Sequence, residues 1–302
     1  MHRISVPVLL FAFGCSGTTP RDTGVDSATL PRAVHESSET GWLAVQSGFD
    51  HTCGIDAEGE IHCWGKGADE PREDPTRAPD GPMTRLDVGM EFACSVDPDG
   101  GGHCWGNSTF GKTLIPNNSE FHSIATGYGH TCGILKDNTI DCWGWGGYNA
   151  TVPPEGEFVA VDGGYHFMCA LHKNDTLRCW GYDFANQARP PEGTYTAIST
   201  ASDSACAITT AGGLSCWGDN SFSQLDPPEG TFVAIDGGAR HLCAVTDTKS
   251  GICWGDNAYR QLQVPEDDWI HLSPGGGHTC GLNHLGRIRC WGWNDEGQAS
   301  PP

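Results

Sequence analysis

The 302-residue sequence is poor in features that mark many functional classes. It has no run of eighteen apolar residues, which excludes a membrane-spanning helix, and no heptad or Gly-X-Y period, which excludes a coiled coil and a triple helix. Cations are scarce: 17 Lys plus Arg stand against 38 Asp plus Glu, a formal charge of -21. A surface this acidic repels phosphate backbones and anionic headgroups alike, so nucleic acid is set aside as a partner and a membrane is reached only through a lipid anchor. No nucleophile elbow, HExxH helix, Walker loop or paired-carboxylate signature is found, so no catalytic residue, metal or cofactor is assigned and the chain reads as non-enzymatic. What is plentiful is Gly (42), Pro (19), Cys (15) and Trp (11), a composition of short strands and turns.

The first fifteen residues carry Arg3, a short apolar stretch from Ile4 to Phe13, then Gly14 and Cys15. This is the layout of an export signal. Ala12-Phe13-Gly14-Cys15 is similar to a bacterial lipoprotein cleavage box, which makes Cys15 the expected lipidation site; an ordinary secretory signal is the alternative. Residues 16–40, rich in Ser, Thr, Pro, Asp and Glu, read as a disordered tether. The chain is therefore expected to be exported, either lipid-anchored in a bacterial cell envelope or secreted.

The remaining fourteen cysteines form seven pairs, each ten positions apart: Cys53 and Cys63, Cys94 and Cys104, Cys132 and Cys142, Cys169 and Cys179, Cys206 and Cys216, Cys243 and Cys253, Cys280 and Cys290. Every second member is followed by Trp-Gly, at Trp64, Trp105, Trp143, Trp180, Trp217, Trp254 and Trp291. Such self-similarity marks a repeat architecture. In the clearest copy, Phe232-Val-Ala-Ile-Asp-Gly-Gly, His241-Leu-Cys-Ala-Val and Ile252-Cys-Trp-Gly are followed by a weaker stretch, Asp256-Asn-Ala-Tyr-Arg-Gln-Leu. These read as a four-stranded antiparallel meander. One such sheet cannot cover both its faces, whereas seven stacked radially cover one another.

The pattern resembles the regulator-of-chromosome-condensation repeat family. Gly127-Tyr-Gly-His-Thr-Cys-Gly-Ile, Gly275-Gly-Gly-His-Thr-Cys-Gly-Leu and Trp291-Gly-Trp-Asn-Asp-Glu-Gly-Gln carry the resemblance, which spans about residues 41–302. It implies an all-β fold, a seven-bladed β-propeller of four-stranded antiparallel blades. Ser204, Phe92 and Phe167 depart from the family His, and Ala201 from the Gly. The family's namesake implies nucleotide exchange on a small GTPase and chromatin contact, both at odds with an export signal and this acidity. Trp217-Gly-Asp-Asn-Ser-Phe-Ser-Gln and Trp254-Gly-Asp-Asn-Ala-Tyr-Arg-Gln resemble segments of a secreted, protein-binding bacterial member.

Placing Cys53 opposite Cys63 makes Ile55 face Ile61 and leaves Ala57-Glu58-Gly59 as the loop, with Gly59 where a type I turn with a bulge needs positive φ. The same register puts Gly100, Asn138, Asp175, Gly212 and Gly286 there, and only Lys249 falls out of line. Opposed residues lie within reach of a disulfide, and export supplies an oxidising compartment. The rival is a metal centre from His51, Cys53 and Cys63, but His recurs in only four copies and no fourth ligand recurs. Bridges are expected, and His51, His130, His241 and His278 are expected to be structural.

In a meander the turns alternate between rims, so the first and third turns of every blade share one face of the disc. Those turns bring Tyr128, Tyr165, Phe110, Trp145, Tyr148, Tyr182, Phe222, Tyr259 and Trp293 to that face, with Phe49, Met90, His166 and Phe184 beside them. Acidic Asp50, Glu91, Asp219, Asp256 and Glu296 lie between. Aromatic anchors among polar residues are the makeup of an interaction surface. The first expectation is therefore recognition of another protein through this face; the alternatives are a carbohydrate-binding or carbohydrate-processing envelope protein, and a structural surface-display protein.

Overall fold

The computed structural model of the chain describes residues 41–67, 73–116 and 119–302. The expected signal at 1–15, the lipidation site Cys15 and the tether at 16–40 lie outside the described residues. The described residues form seven antiparallel sheets, each a three-stranded meander in chain order. Blade 1 comprises Ala44–Ser47, His51–Ile55 and Ile61–Gly65. Blades 2 to 4 run Arg85–Val88, Phe92–Val96 and Gly102–Gly106; Phe121–Thr126, His130–Leu135 and Ile140–Gly144; Phe158–Gly163, Phe167–His172 and Leu177–Gly181. Blades 5 to 7 run Tyr195–Thr200, Ser204–Thr209 and Leu214–Gly218; Phe232–Gly237, His241–Thr246 and Gly251–Gly255; Trp269–Pro274, His278–Asn283 and Ile288–Gly292. Blade 7 packs back on blade 1, and the whole is a seven-bladed propeller.

The core lies between blades, as a ring of clusters each shared by neighbours. Ala160, Leu171, Ile198 and Ala207 fill the seam of blades 4 and 5. Val45, Trp64, Cys280 and Leu282 close the ring. Within each blade all seven cysteine pairs are bridged, with Cα atoms 4.0 to 4.1 Å apart. In every blade the two cysteines are direct register partners, as Cys53 and Cys63 are.

The residue after the first cysteine is small because an aromatic ring lies against it. A Cβ on Gly54, Gly133 or Gly281 would strike Trp42, Phe121 or Trp269, the aromatic that opens the same blade. The Trp after the second cysteine then rests against that ring, at 6.1 Å for Trp42 and Trp64 and 5.8 Å for Trp269 and Trp291.

Among the described residues the expected fourth strand is absent, and blades have three strands rather than four. Its would-be ladder groups bond locally instead. In blade 6 the Ala258 amide donates to Asp256, the Leu262 amide to the Asn257 side chain and the Tyr259 amide to Gln261 Oε1. Side chains that capture nearby amides compete with a strand. Gln187, Gln224 and Gln298 repeat the Gln261 bond. The segment is thereby curled into a turn, and its carbonyl is released to the next blade.

That carbonyl is one half of a double seam. Each Trp Nε1 donates to the link leaving the preceding blade: Trp217 to the Gln187 carbonyl, Trp254 to Gln224 and Trp64 to Gln298, all at 2.9 Å. Trp105, Trp143, Trp180 and Trp291 do the same with Pro75, Lys112, Ala150 and Gln261. On the other rim, the residue opening each blade donates its amide to the carbonyl of the bulge residue in the preceding second turn. Examples are Phe232 to Gly212, Trp269 to Lys249 and, closing the ring, Trp42 to Gly286.

This second bond explains Lys249. Its φ is +68°, matching Asn138 and Asp175 at +68° and Gly59 and Gly212 at +89°. A left-handed lysine is strained, and the carbonyl direction that the Trp269 amide requires holds it there. Lys249→Gly is expected to raise stability by about 1 kcal/mol, roughly 2 °C in Tm, measured by calorimetry.

Candidate functional site

The first turns of all seven blades converge on one end of the central axis. Three residues per blade, from Ser47-Gly48-Phe49 round to Pro274-Gly275-Gly276, line a funnel of about 320 Å³. The funnel is narrow because the turns touch. A Cβ at Gly164 would lie 2.6 Å from the Ala201 carbonyl, and one at Gly127 2.9 Å from that of Gly164. Side chains are therefore confined to the rim.

Tyr128 and Tyr165 stand at the funnel mouth with ring centroids 4.3 Å apart, and partial burial, then the neighbouring Tyr128 phenol, push the Tyr165 phenol up. His166 joins this pair to a larger array: its ring lies 4.3 Å from Tyr165, 4.4 Å from Trp145 and 6.1 Å from Tyr148. Tyr148 continues to Tyr182 at 4.8 Å, Tyr182 to Phe184 at 6.3 Å, and Trp145 to Phe110 at 6.5 Å. An unbroken arc of eight rings thus crosses blades 3 and 4. The tryptophan at its centre is half-buried, whereas Phe110 and Tyr148 are 57% exposed and Phe184 is 86% exposed.

The remaining three candidates stand elsewhere on the same face. Tyr259 and Trp293 pair at 5.7 Å between blades 6 and 7, and Phe222 lies beneath the Arg240 guanidinium at 4.6 Å. Every blade repeats one arrangement: the third residue of the first turn accepts an amide from the residue after Trp-Gly, as His166 does from Tyr182 and Asp203 from Asp219. The preceding link lays a side chain beside this pair. That side chain is Phe110 at blade 3, Tyr148 at blade 4, Phe222 at blade 6 and Tyr259 at blade 7. Blade 5 differs. Its preceding link offers only Ala185, held through Gln187, whose amide donates to Asp203 at 3.2 Å. Burial, and then the neighbouring Asp219, push the Asp203 carboxyl up.

The link of blade 2 places Lys112 where four other links have Gln. It is buried, 4.5 Å from the Phe92 ring centre, with Nζ directed at the Met90 and Tyr128 carbonyls; burial pushes its pKa down. His166 at the centre of the arc and Asp203 of blade 5 are absent from the candidate binding residues, although the alternation of turns assigns His166 and Asp219 to this face. The signal for His166 and Asp203 is position, the third residue of a first turn.

Among the described residues no His, Cys, Asp and Glu group is arranged to hold a metal. The four histidines that open middle strands lie under the funnel, fully buried. His278 pairs with Thr52 at 2.8 Å across the closing seam and His241 with Thr279 at 2.9 Å. Burial holds His51 and His241 down to about 4, and His130 and His278 down to about 3.

Three blades match a family model, the regulator of chromosome condensation (RCC1) repeat, at residues 42–69, 121–150 and 269–298. No curated protein matches the chain. Among solved structures it is similar to the ectodomain of the receptor kinase CR4 of Physcomitrella patens, at 21% identity and a TM-score of 0.70, covering 84% of this chain and 73% of that one. The CRINKLY WD40 ectodomain of the Arabidopsis thaliana receptor kinase ACR4 gives 21% and 0.69, covering 84% and 98%. Prp20p of Saccharomyces cerevisiae gives 14% and 0.67, covering 88% and 85%. At these identities the likeness establishes the propeller fold.

The histidines make stability depend on pH. An unfolded histidine titrates near 6.5, whereas these take up protons only near 4 or 3, so their contribution is complete above pH 6.5 and declines as pH falls towards those values. Each loses about 1.4 kcal/mol per pH unit once its unfolded form is protonated. Tm is expected to fall between pH 7.5 and 5. His130→Phe, which copies Phe92 and Phe167 at the same repeat position, should fold and lessen that fall, read from thermal melts at both pH values.

Proposed function

We propose that this chain is a non-catalytic, exported propeller that recognises another protein through the aromatic arc on its first-turn face. The observation that carries the reading is the continuity of the arc, eight rings in mutual contact whose outer members face solvent. Exposed rings held by neighbours lose little freedom on binding and supply large contact areas. Seven disulfides support an oxidising compartment. A lipid anchor at Cys15 is the accompanying proposal, with release into the medium as its alternative. Among similar structures, Prp20p is described by its binding to Gsp1p and histones. Protein recognition by this fold is thus precedented, and the partner here is a matter for experiment.

Tyr148→Ala combined with Phe184→Ala removes two exposed rings without opening a seam. Pull-down from native envelope or medium is expected to lose at least tenfold of the captured protein, with Tm within about 2 °C of the parent chain. Undiminished capture overturns the reading. Capture that disappears after glycosidase treatment of the material assigns the arc to carbohydrate instead.

A further inference from the structure

Charge on the first-turn face is unevenly answered. At blade 1, Asp50 meets Lys66 at 3.1 Å, and at blade 6, Asp256 shares its rim position with Arg240. At blade 5 the corresponding pair is Asp203 and Asp219, both acidic, and among the described residues no cationic side chain forms an ion pair with either. The place that Phe110, Tyr148, Phe222 and Tyr259 fill beside the other pairs is here left to the methyl group of Ala185. The gap adjoins the arc: the Tyr165 amide donates to the Ser202 carbonyl at 2.7 Å, and the Tyr165 hydroxyl lies within the field of Asp203.

We infer that this gap receives a lysine or arginine side chain of the protein partner, its stem along Tyr165 and its charge between Asp203 and Asp219, while a neighbouring apolar side chain packs on the arc. The inference rests on the reading of the arc as a protein-binding surface and specifies what that protein presents. Three features converge on it. Asp203 is partly desolvated and lies in the field of Asp219, and the groups that hold the two carboxylates, Gln187 on Asp203 and Ser221 and Gln224 on Asp219, are neutral, so a cation from outside supplies the charge that these hydrogen bonds do not. A tyrosine face beside them adds cation–π attraction. The equivalent places at four other blades are occupied by aromatic side chains of the chain itself, where blade 5 has only the methyl group of Ala185.

The test uses the full chain and a phage-displayed random dodecapeptide library. Selected peptides are expected to carry Lys or Arg within a few residues of an aromatic or aliphatic side chain. Their affinity should fall about tenfold on Asp203→Asn with Asp219→Asn, and by a similar factor on Ala185→Tyr, which fills the gap from within. Glu192→Gln with Glu229→Gln removes the same charge from links on the opposite rim and should leave affinity unchanged. Binding to the parent chain should weaken from 50 to 300 mM salt, and binding to the Asn variant should weaken less. Melting curves confirm that the variants fold. Peptides that need Tyr148 but ignore Asp203, Asp219 and Ala185 overturn this inference and leave the arc's function standing. Peptides indifferent to all four residues, or the absence of any binder, overturn both. Equal sensitivity to the opposite-rim pair reduces the effect to net charge and also overturns the inference.

Discussion

The seam between blades is the constraint on which the rest of the molecule depends. A three-stranded sheet of fifteen or so residues cannot shield both faces from water, so no blade is stable alone and each takes its neighbour as its second layer. The seam is built twice, once at each rim. An indole N–H reaches back to the preceding link, and an amide reaches back to the preceding second turn. Both bonds use main-chain carbonyls, so link and turn residues can change provided the backbone keeps its course. Pro75, Lys112, Ala150 and four glutamines all serve as the acceptor.

The disulfides act on a different scale. They tie the middle strand of each blade to its outer strand and cross no seam. With loops of about ten residues, each restricts the unfolded chain by up to roughly 3 kcal/mol, less whatever order the hairpin already has. Blades are thereby stiffened individually, and the seams assemble stiff units. A rim of loops on such units can hold an exposed arc of rings without collapse onto the core.

Features governed by short separations could be read from sequence. Cysteine spacing set the register of every hairpin, and the bulge residue fell at the expected place in all seven turns, including Lys249, whose side chain argued against it. The fourth strand was misread because apolar spacing does not register that Asp256, Asn257 and Gln261 take up the local amides. The site was legible only in part. Aromatic residues could be assigned to a face, but their grouping depends on angular position around the disc. Phe110, Trp145, His166 and Tyr182 come from three different blades, and Phe222, Tyr259 and Trp293 stand apart from the others. Asp219 could be assigned to the face, but its pairing with Asp203 escaped notice because its meaning lies in what the other six blades have at that position.

The closing seam joins residues far apart in the chain: Thr52 with His278, Ser47 with Ser273 and Trp64 with Gln298 are separated by 226, 226 and 234 positions. Each of the fourteen bridged cysteines, by contrast, finds its mate ten positions away. Entropy orders the two events, since short loops close long before the ends of a chain this size meet. Oxidation can therefore be completed hairpin by hairpin while the ring is still open, with no thiol having to choose among distant rivals. A protein with fourteen paired cysteines thus avoids the scrambling that so many would otherwise invite, and delivers seven finished parts to a single annular closure.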